Sequence, residues 1–102
     1  MNIEIYSLGE RLDSFNYQEV QDALLAIIEK GCSAVLDMTA CNYVSSTGLR
    51  VLLYSKKVAE SKSLQLYLVG FGDEVRDIME VTGFDKFFDY FATLEECLEK
   101  VK

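Results

Sequence analysis

Four short apolar stretches alternate with four helical patterns along this chain, and that order restricts the fold more than any other feature. The second stretch stays apolar until Asp37, which is typical of a strand buried on both faces of a parallel sheet. Parallel strands need crossover connections, which are usually helical and are right-handed. The order predicts one α/β domain over residues 1–102, with a mostly parallel sheet of four to five strands and about four helices. The predicted strands are Ile3–Leu8, Ala34–Met38, Leu64–Val69 and Phe87–Phe91.

The helices are marked by the recurrence of apolar residues and by the residues at their ends. In the first helix, apolar residues recur at intervals of three and four from Val20 to Ile28, and Gly31 ends the pattern. Asn16 and Glu19 have the spacing of a capping box, so we expect this helix to start after Asn16. The other predicted helices run from about Ser46 to Ser61, from Asp73 to Gly83, and from Thr93, which has a second capping box with Glu96, to the end of the chain.

The overall composition excludes several classes of protein. Half of the 102 residues are hydrophobic, which is enough for a buried core. The net charge of -7 argues against nucleic acid as a partner, because such binding needs a basic face. The N-terminus has no signal-peptide pattern, and no apolar run approaches the roughly 18 residues of a membrane span. We therefore expect a cytoplasmic protein without membrane insertion.

Histidine is absent, and the three cysteines are widely spaced. Histidine is the commonest general base and metal ligand, so its absence disfavours catalysis and a metal site, and nothing in the sequence indicates a cofactor. The cysteine spacing fits a reducing compartment rather than a disulfide framework. We expect Cys97, on an apolar helical face, to lie in the core and Cys41, in a loop, to be partly exposed.

Three hydroxyl residues and a glycine, at positions 45–48, stand where the second helix begins. A serine in such a place lies near unpaired backbone amides and the positive end of the helix dipole. These groups partly stabilise a phosphate, so Ser46 is suited to carry a switchable negative charge. A plain N-cap role for Ser46 is the alternative, and the two roles are compatible.

Four separated blocks of the sequence form a recognisable pattern. They are Gly9-Glu10-Arg11-Leu12-Asp13, Asp37-Met38-Thr39, Ser45-Ser46-Thr47-Gly48-Leu49 and Thr82-Gly83-Phe84-Asp85-Lys86. Together they resemble the STAS domain family, which includes bacterial anti-sigma factor antagonists and the cytosolic tails of anion transporters. A match of four blocks is more specific than a match of any one, and it extends over nearly the whole chain. The resemblance implies a STAS-like fold.

The same resemblance implies that Ser46 is the phosphorylated serine. In the family, the unphosphorylated domain binds an anti-sigma factor that is also its serine kinase, and the sigma factor is released. Phosphorylation abolishes the contact, and a serine phosphatase restores it. By position, Ser45 replaces a family aspartate and Thr47 replaces a second serine, so kinase recognition or the strength of the switch is open to change here.

We expect a partner to cover the loop 39–46 and the first turns of the helix that follows. Arg50, one turn into that helix, should point outward. Tyr43 is either packed or exposed, and the packed position is favoured because the family's aromatic residue here is usually packed. The predicted partner-binding residues are Thr39, Asn42, Tyr43, Ser45, Ser46, Thr47, Gly48, Leu49 and Arg50.

Two other functions are compatible with parts of the sequence. An accessory subunit of a larger signalling or transporter complex would use the same surface without a phospho-switch. An enzyme could draw on Ser46, Asp37 and Asp13, but it would lack a histidine base. In addition, Val44 stands where a nucleophile elbow has its first glycine. We therefore predict a binding protein and not an enzyme.

The first predicted strand is expected to leave an exposed sheet edge. Family members usually carry an additional strand before it, and this chain begins too late for that strand. Exposed edges are often covered by pairing with another chain. A homodimer through this edge is one expected way to cover it.

Overall fold

The computed structural model describes residues 2–101, and the four strands of its central sheet alternate with four α-helices along the chain. In chain order the elements are β1 (Ile3–Ser7), β2 (Arg11–Leu12), α1 (Tyr17–Glu29), β3 (Ser33–Asp37), β4 (Tyr43–Val44), α2 (Ser46–Ser61), β5 (Leu66–Val69), α3 (Asp73–Thr82), a 3-10 helix (Phe84–Phe87), β6 (Asp89–Phe91) and α4 (Leu94–Val101).

The central sheet has four parallel strands in the order β1-β3-β5-β6, which is also their order along the chain. Each of the three crossovers leads to the next strand in the same direction across the sheet. Right-handed crossovers of this kind pass over the same face, so α1, α2 and α3 cover one side of the sheet. The larger core lies there and includes Leu24 of α1 and Leu52 of α2. On the opposite side, α4 packs Cys97 against Val35 and Val69.

The predicted α/β fold with a mainly parallel sheet and four helices is confirmed, and α2 has the predicted bounds. The second predicted strand is displaced by one residue at each end, and the other three predicted strands are longer than the observed ones, including the fourth. That segment begins at Asp89 because a 3-10 helix, Phe84–Phe87, occupies the residues before it. Gly83 ends α3 in the left-handed conformation with φ +77°. A left-handed residue is most easily a glycine, which explains the signal in the sequence.

The predicted capping box at Asn16 is wrong, although Asn16 does precede α1. Its side chain turns back to the preceding loop, where Oδ1 accepts the Asp13 amide (2.8 Å) and Nδ2 donates to the Arg11 carbonyl (2.7 Å). The cap predicted at Thr93 is present, since Thr93 Oγ1 accepts the Glu96 amide at 3.1 Å. Capping-box spacing alone does not distinguish a side chain that serves the helix from one that serves the loop before it.

Candidate phosphorylation and partner-binding site

The start of α2 is attached to a second, two-stranded sheet that the sequence did not reveal. Strands β2 and β4 pair in parallel, with Leu12 opposite Val44. Immediately after β4, the Ser45 amide donates to the Leu12 carbonyl at 2.9 Å. A Cβ at Gly48 would lie 2.7 Å from that same carbonyl oxygen, so α2 approaches β2 closely only because Gly48 has no side chain. These contacts fix where the helix begins.

Ser45, not Ser46, is the N-cap of α2. The Ser45 hydroxyl accepts the Gly48 amide at 3.1 Å, and its carbonyl accepts the first intrahelical bond from Leu49 at 2.9 Å. The alternative role of Ser46 as a plain cap is therefore wrong. Serine and aspartate are similarly good caps, so Ser45 can serve this purpose in place of an aspartate.

Ser46 is the first residue of α2, and it is exposed. The amides of Ser46 and Thr47 precede the first intrahelical bond, and they are not used by the Ser45 cap. They also stand at the positive end of the helix dipole, where negative charge is stabilised. A phosphoryl group on Ser46 would thus be attached beside two backbone donors.

The loop before β4 is held by hydrogen bonds of its own. One carboxylate oxygen of Asp37 accepts both the Thr39 amide (3.0 Å) and the Thr39 hydroxyl (2.6 Å). Thr39 in turn lies against Gly70, where an added Cβ would collide with the Thr39 hydroxyl oxygen. The Asn42 amide donates to the Glu10 carbonyl at 2.8 Å. The exposed side chains of this loop are therefore presented on a fixed backbone.

The predicted partner-binding residues differ in how much surface they offer. Gly48 and Leu49 lie in the interior, where close packing under α2 leaves Leu49 4% exposed. They pack against the interior side of the first turn of α2 and expose almost no surface to solvent or to a partner. Ser45 and Thr47 are half-buried, and the exposed members of the predicted set are Thr39, Asn42, Tyr43, Ser46 and Arg50.

The prediction that Tyr43 is packed is wrong, because its side chain is 42% exposed. It lies on the short strand β4, whose other residue, Val44, points inward and takes the buried position. The guanidinium carbon of Arg11 lies 5.2 Å from the centre of the Tyr43 ring, a cation–π contact across the small sheet. Arg50 is exposed, as expected.

The prediction that Cys41 is partly exposed is also wrong, since it is 4% exposed. The Met38 carbonyl accepts the Cys41 amide at 3.0 Å, which turns the loop so that the side chain points inward. There, burial raises the pKa of the Cys41 thiol, and Sγ donates to the Tyr43 carbonyl at 3.4 Å. Cys97 lies in the core, as predicted.

The loop between β2 and α1 also belongs to this region, although none of the predicted partner-binding residues lies in it. Asp13 is 7% exposed there, and its carboxylate accepts the Phe15 amide (2.9 Å) and Arg11 Nε (2.7 Å). The hydrogen bond from Phe15, together with the Arg11 guanidinium, lowers the pKa of Asp13. Arg11 therefore contacts both Tyr43 and Asp13, which connects this loop to β4.

The chain is a small α/β domain with a parallel central sheet, and it presents an exposed serine at the N-terminus of α2 beside a short loop. The family model for the STAS domain matches residues 2–97. The chain belongs to the STAS domain family. No helix among residues 2–101 is both long and apolar enough to cross a bilayer.

Named relatives include bacterial regulators. An anti-sigma-B factor antagonist of Listeria monocytogenes is 30% identical over 83 residues, which is 80% of this chain and 72% of that protein. An anti-sigma factor antagonist from Mycobacterium paratuberculosis has a similar structure, with a TM-score of 0.82 at 23% identity over 98% of this chain and 86% of that one. The Bacillus cell fate determinant SpoIIAA, in its phosphorylated form, superposes with a TM-score of 0.74 at 16% identity over 99% of this chain and 92% of that one.

Proposed function

We propose that this chain is an anti-sigma factor antagonist, a phosphorylation-switched binding protein rather than an enzyme. In its unphosphorylated form it binds an anti-sigma factor that is also a serine kinase, and the sigma factor is released. The observation that carries the proposal is the exposed Ser46 on the first turn of α2, beside the amides of Ser46 and Thr47, which precede the first intrahelical hydrogen bond. The relatives named anti-sigma factor antagonists support it.

A phosphate on Ser46 would act at the centre of the proposed contact surface. It adds about -1.5 to -2 charges, and burying that charge unpaired in an interface costs several kcal/mol. In the free protein, the same charge is stabilised by the helix N-terminus and by Arg50, which is four residues further along the same helix face. Phosphorylation should therefore favour the free state.

The partner would contact the exposed side chains of the loop and the first turns of α2. We propose that the protein acts in the cytoplasm, where a kinase and a serine phosphatase set the state of Ser46. The proposed contact residues are Thr39, Asn42, Tyr43, Ser45, Ser46, Thr47 and Arg50, supported from below by Gly48 and Leu49.

The first test is mass spectrometry of the protein from its native cells, in which we expect phosphate on Ser46.

The second test uses variants of the same residue. Ser46→Ala should abolish phosphorylation by the partner kinase and give a protein that binds that partner constitutively, whereas Ser46→Asp should weaken binding. Ser45→Asp is the matched control, because it adds the same charge one residue away at a position where aspartate caps the helix. Phosphate found on Thr47 alone would refute the assignment of Ser46. Complete absence of phosphate in cells that contain the active kinase would favour an accessory subunit.

We also propose that β1 pairs with β1 of a second copy. In the described chain β1 has one neighbour, β3, and the Leu8 amide donates to the Asp37 carbonyl. Alternation along the strand then directs the amides and carbonyls of Ile3, Ile5 and Ser7 away from the sheet. An antiparallel two-fold pairing centred on Ile5 would place Glu4 opposite Tyr6 of the second copy, so that no like charges meet.

A further inference from the structure

Phe15 is almost fully in solvent, with 97% of its side chain exposed. Burial of an aromatic ring is among the larger stabilising contributions available to a fold, and this ring contributes none of it. A single exposed apolar residue is not unusual by itself, and Val81, at 87% exposed, is another. What distinguishes Phe15 is how its backbone is held and what lies beside it.

Hydrogen bonds fix the backbone on both sides of Phe15. The Asp13 carboxylate accepts the Phe15 amide (2.9 Å), and the Asp13 carbonyl accepts the Tyr17 amide (2.9 Å). Asn16 bridges the same loop through both of its side-chain atoms. A ring on a fixed loop loses less conformational freedom on binding than one on a mobile loop, which is the property of an anchor residue.

An open groove of about 390 Å³ lies beside this loop, between α1 and α2. One wall includes Ser14, the residue before Phe15, and the other includes Thr47 and Arg50 of the proposed contact surface. The groove thus connects Phe15 to the helix turn that carries Ser46. Its remaining lining residues include Tyr17, Gln21 and Tyr54.

The charge of the groove indicates the chemistry of its occupant. Arg50 has no carboxylate within ion-pair distance among residues 2–101, in contrast to Arg11, which pairs with Asp13 at 2.7 Å. The groove is lined by polar and aromatic side chains and one valine, and the unpaired guanidinium on its rim favours a partner segment that carries a carboxylate. A protein partner docked over Ser46 would reach this groove without a break in the surface.

We infer that the partner interface extends from Ser46 across the α1–α2 groove to Phe15. In the complex, Phe15 inserts into an apolar pocket of the partner, and a partner carboxylate pairs with Arg50. The inference rests on the proposed function, because the occupant is the anti-sigma factor kinase. Phe15 is therefore a main determinant of affinity, although it lies outside the segment that carries the phosphorylated serine.

The experiment is isothermal titration calorimetry with the purified anti-sigma factor that phosphorylates Ser46. Phe15→Ala should weaken binding roughly 10- to 30-fold, as truncation of an aromatic anchor does. Its thermal midpoint should equal that of the wild type, because the ring buries nothing in the free protein. Val81→Ala removes a comparably exposed apolar side chain on α3 and should leave the affinity unchanged. Gln21→Trp, which fills the groove, should also weaken binding.

The outcomes separate this inference from the proposed function. If the wild type binds and Ser46→Asp weakens binding, but Phe15→Ala and Gln21→Trp bind as the wild type does, the extended interface is wrong and the switch stands. If Phe15→Ala and Val81→Ala weaken binding equally, the effect is general and the inference is overturned. If no anti-sigma factor binds the wild type or phosphorylates Ser46, the proposed function fails, and the extended interface fails with it.

Discussion

At the scale of single residues, two adjacent serines have separate physical roles. Ser45 caps the N-terminus of α2 by accepting a hydrogen bond from the Gly48 amide. The Ser46 side chain makes no hydrogen bond within residues 2–101. The structural requirement is thus met by Ser45, which leaves Ser46 available for modification. A phosphate can be added to Ser46 without removing the cap of the helix.

This division of roles predicts different stabilities for two similar variants. Ser45→Ala should lower the free energy of unfolding by about 1 kcal/mol, the usual value of a lost N-cap, whereas Ser45→Asp should retain the cap. Ser46→Ala should stay within about 0.5 kcal/mol of the wild type, as exposed substitutions usually do. Urea unfolding with an unchanged slope measures all three. Equal losses for Ser45→Ala and Ser46→Ala would contradict the assignment of the cap.

Residue-level predictions from sequence failed where the backbone path decides the outcome. A loop position suggested exposure for Cys41, but a turn closed by the Met38 carbonyl directs its thiol inward. Tyr43 was expected to pack, yet alternation along β4 gives the inward position to Val44. Composition and spacing do not specify these directions. Phe15 is an apolar residue in a polar loop, and its exposure depends on the hydrogen bonds that hold Asp13.

At the scale of secondary-structure elements, long periodic segments were predictable and short ones were not. The 16 residues of α2 begin and end where the apolar spacing and hydroxyl residues predicted. The two-residue strands β2 and β4 are too short to show an alternation, so the small sheet that locates Ser45 was missed. The aromatic residues before β6 indicated strand, but Gly83 starts a 3-10 helix there. The sequence therefore indicated Ser46 but not the small β2–β4 sheet that positions it.

The contact between α2 and β2 gives a prediction in which two effects oppose each other. Helix propensity alone favours Gly48→Ala by about 1 kcal/mol. However, the new methyl group would lie 2.7 Å from the Leu12 carbonyl oxygen, a backbone atom held in β2, and overpacking typically costs about 1–3 kcal/mol. We expect net destabilisation in urea unfolding, together with weaker partner binding because the helix start is displaced.

Gly9→Ala is the matched control for this effect, because a Cβ at Gly9 meets nothing within 4 Å. It should be neutral or slightly stabilising, since alanine restricts the unfolded chain. A Gly48→Ala protein as stable as the wild type would mean that β2 moves easily, and the small sheet would not be what fixes Ser46.

At the scale of the whole molecule, the two faces of the sheet are unequally covered. Three helices pack on one face, whereas the 8-residue α4 packs on the other, and Ile5 at the edge strand remains 44% exposed. The edge of β1 lies next to this thinly covered face. Pairing with a second copy would give hydrogen-bond partners to the outward amides and carbonyls of β1. It would also bring the two Ile5 side chains together on that face.

Ile5→Pro tests this pairing sharply. Proline removes the outward amide and is tolerated on an edge strand where that amide faces solvent, so the β1–β3 pairing is retained. We expect analytical ultracentrifugation to show a concentration-dependent dimer for the wild type and for Ile5→Val, which keeps the amide, and a monomer for Ile5→Pro. Because each copy carries a net charge of -7, added salt should favour the dimer by screening repulsion. A wild type that stays monomeric at high salt and high concentration would rule out the edge as a self-association site.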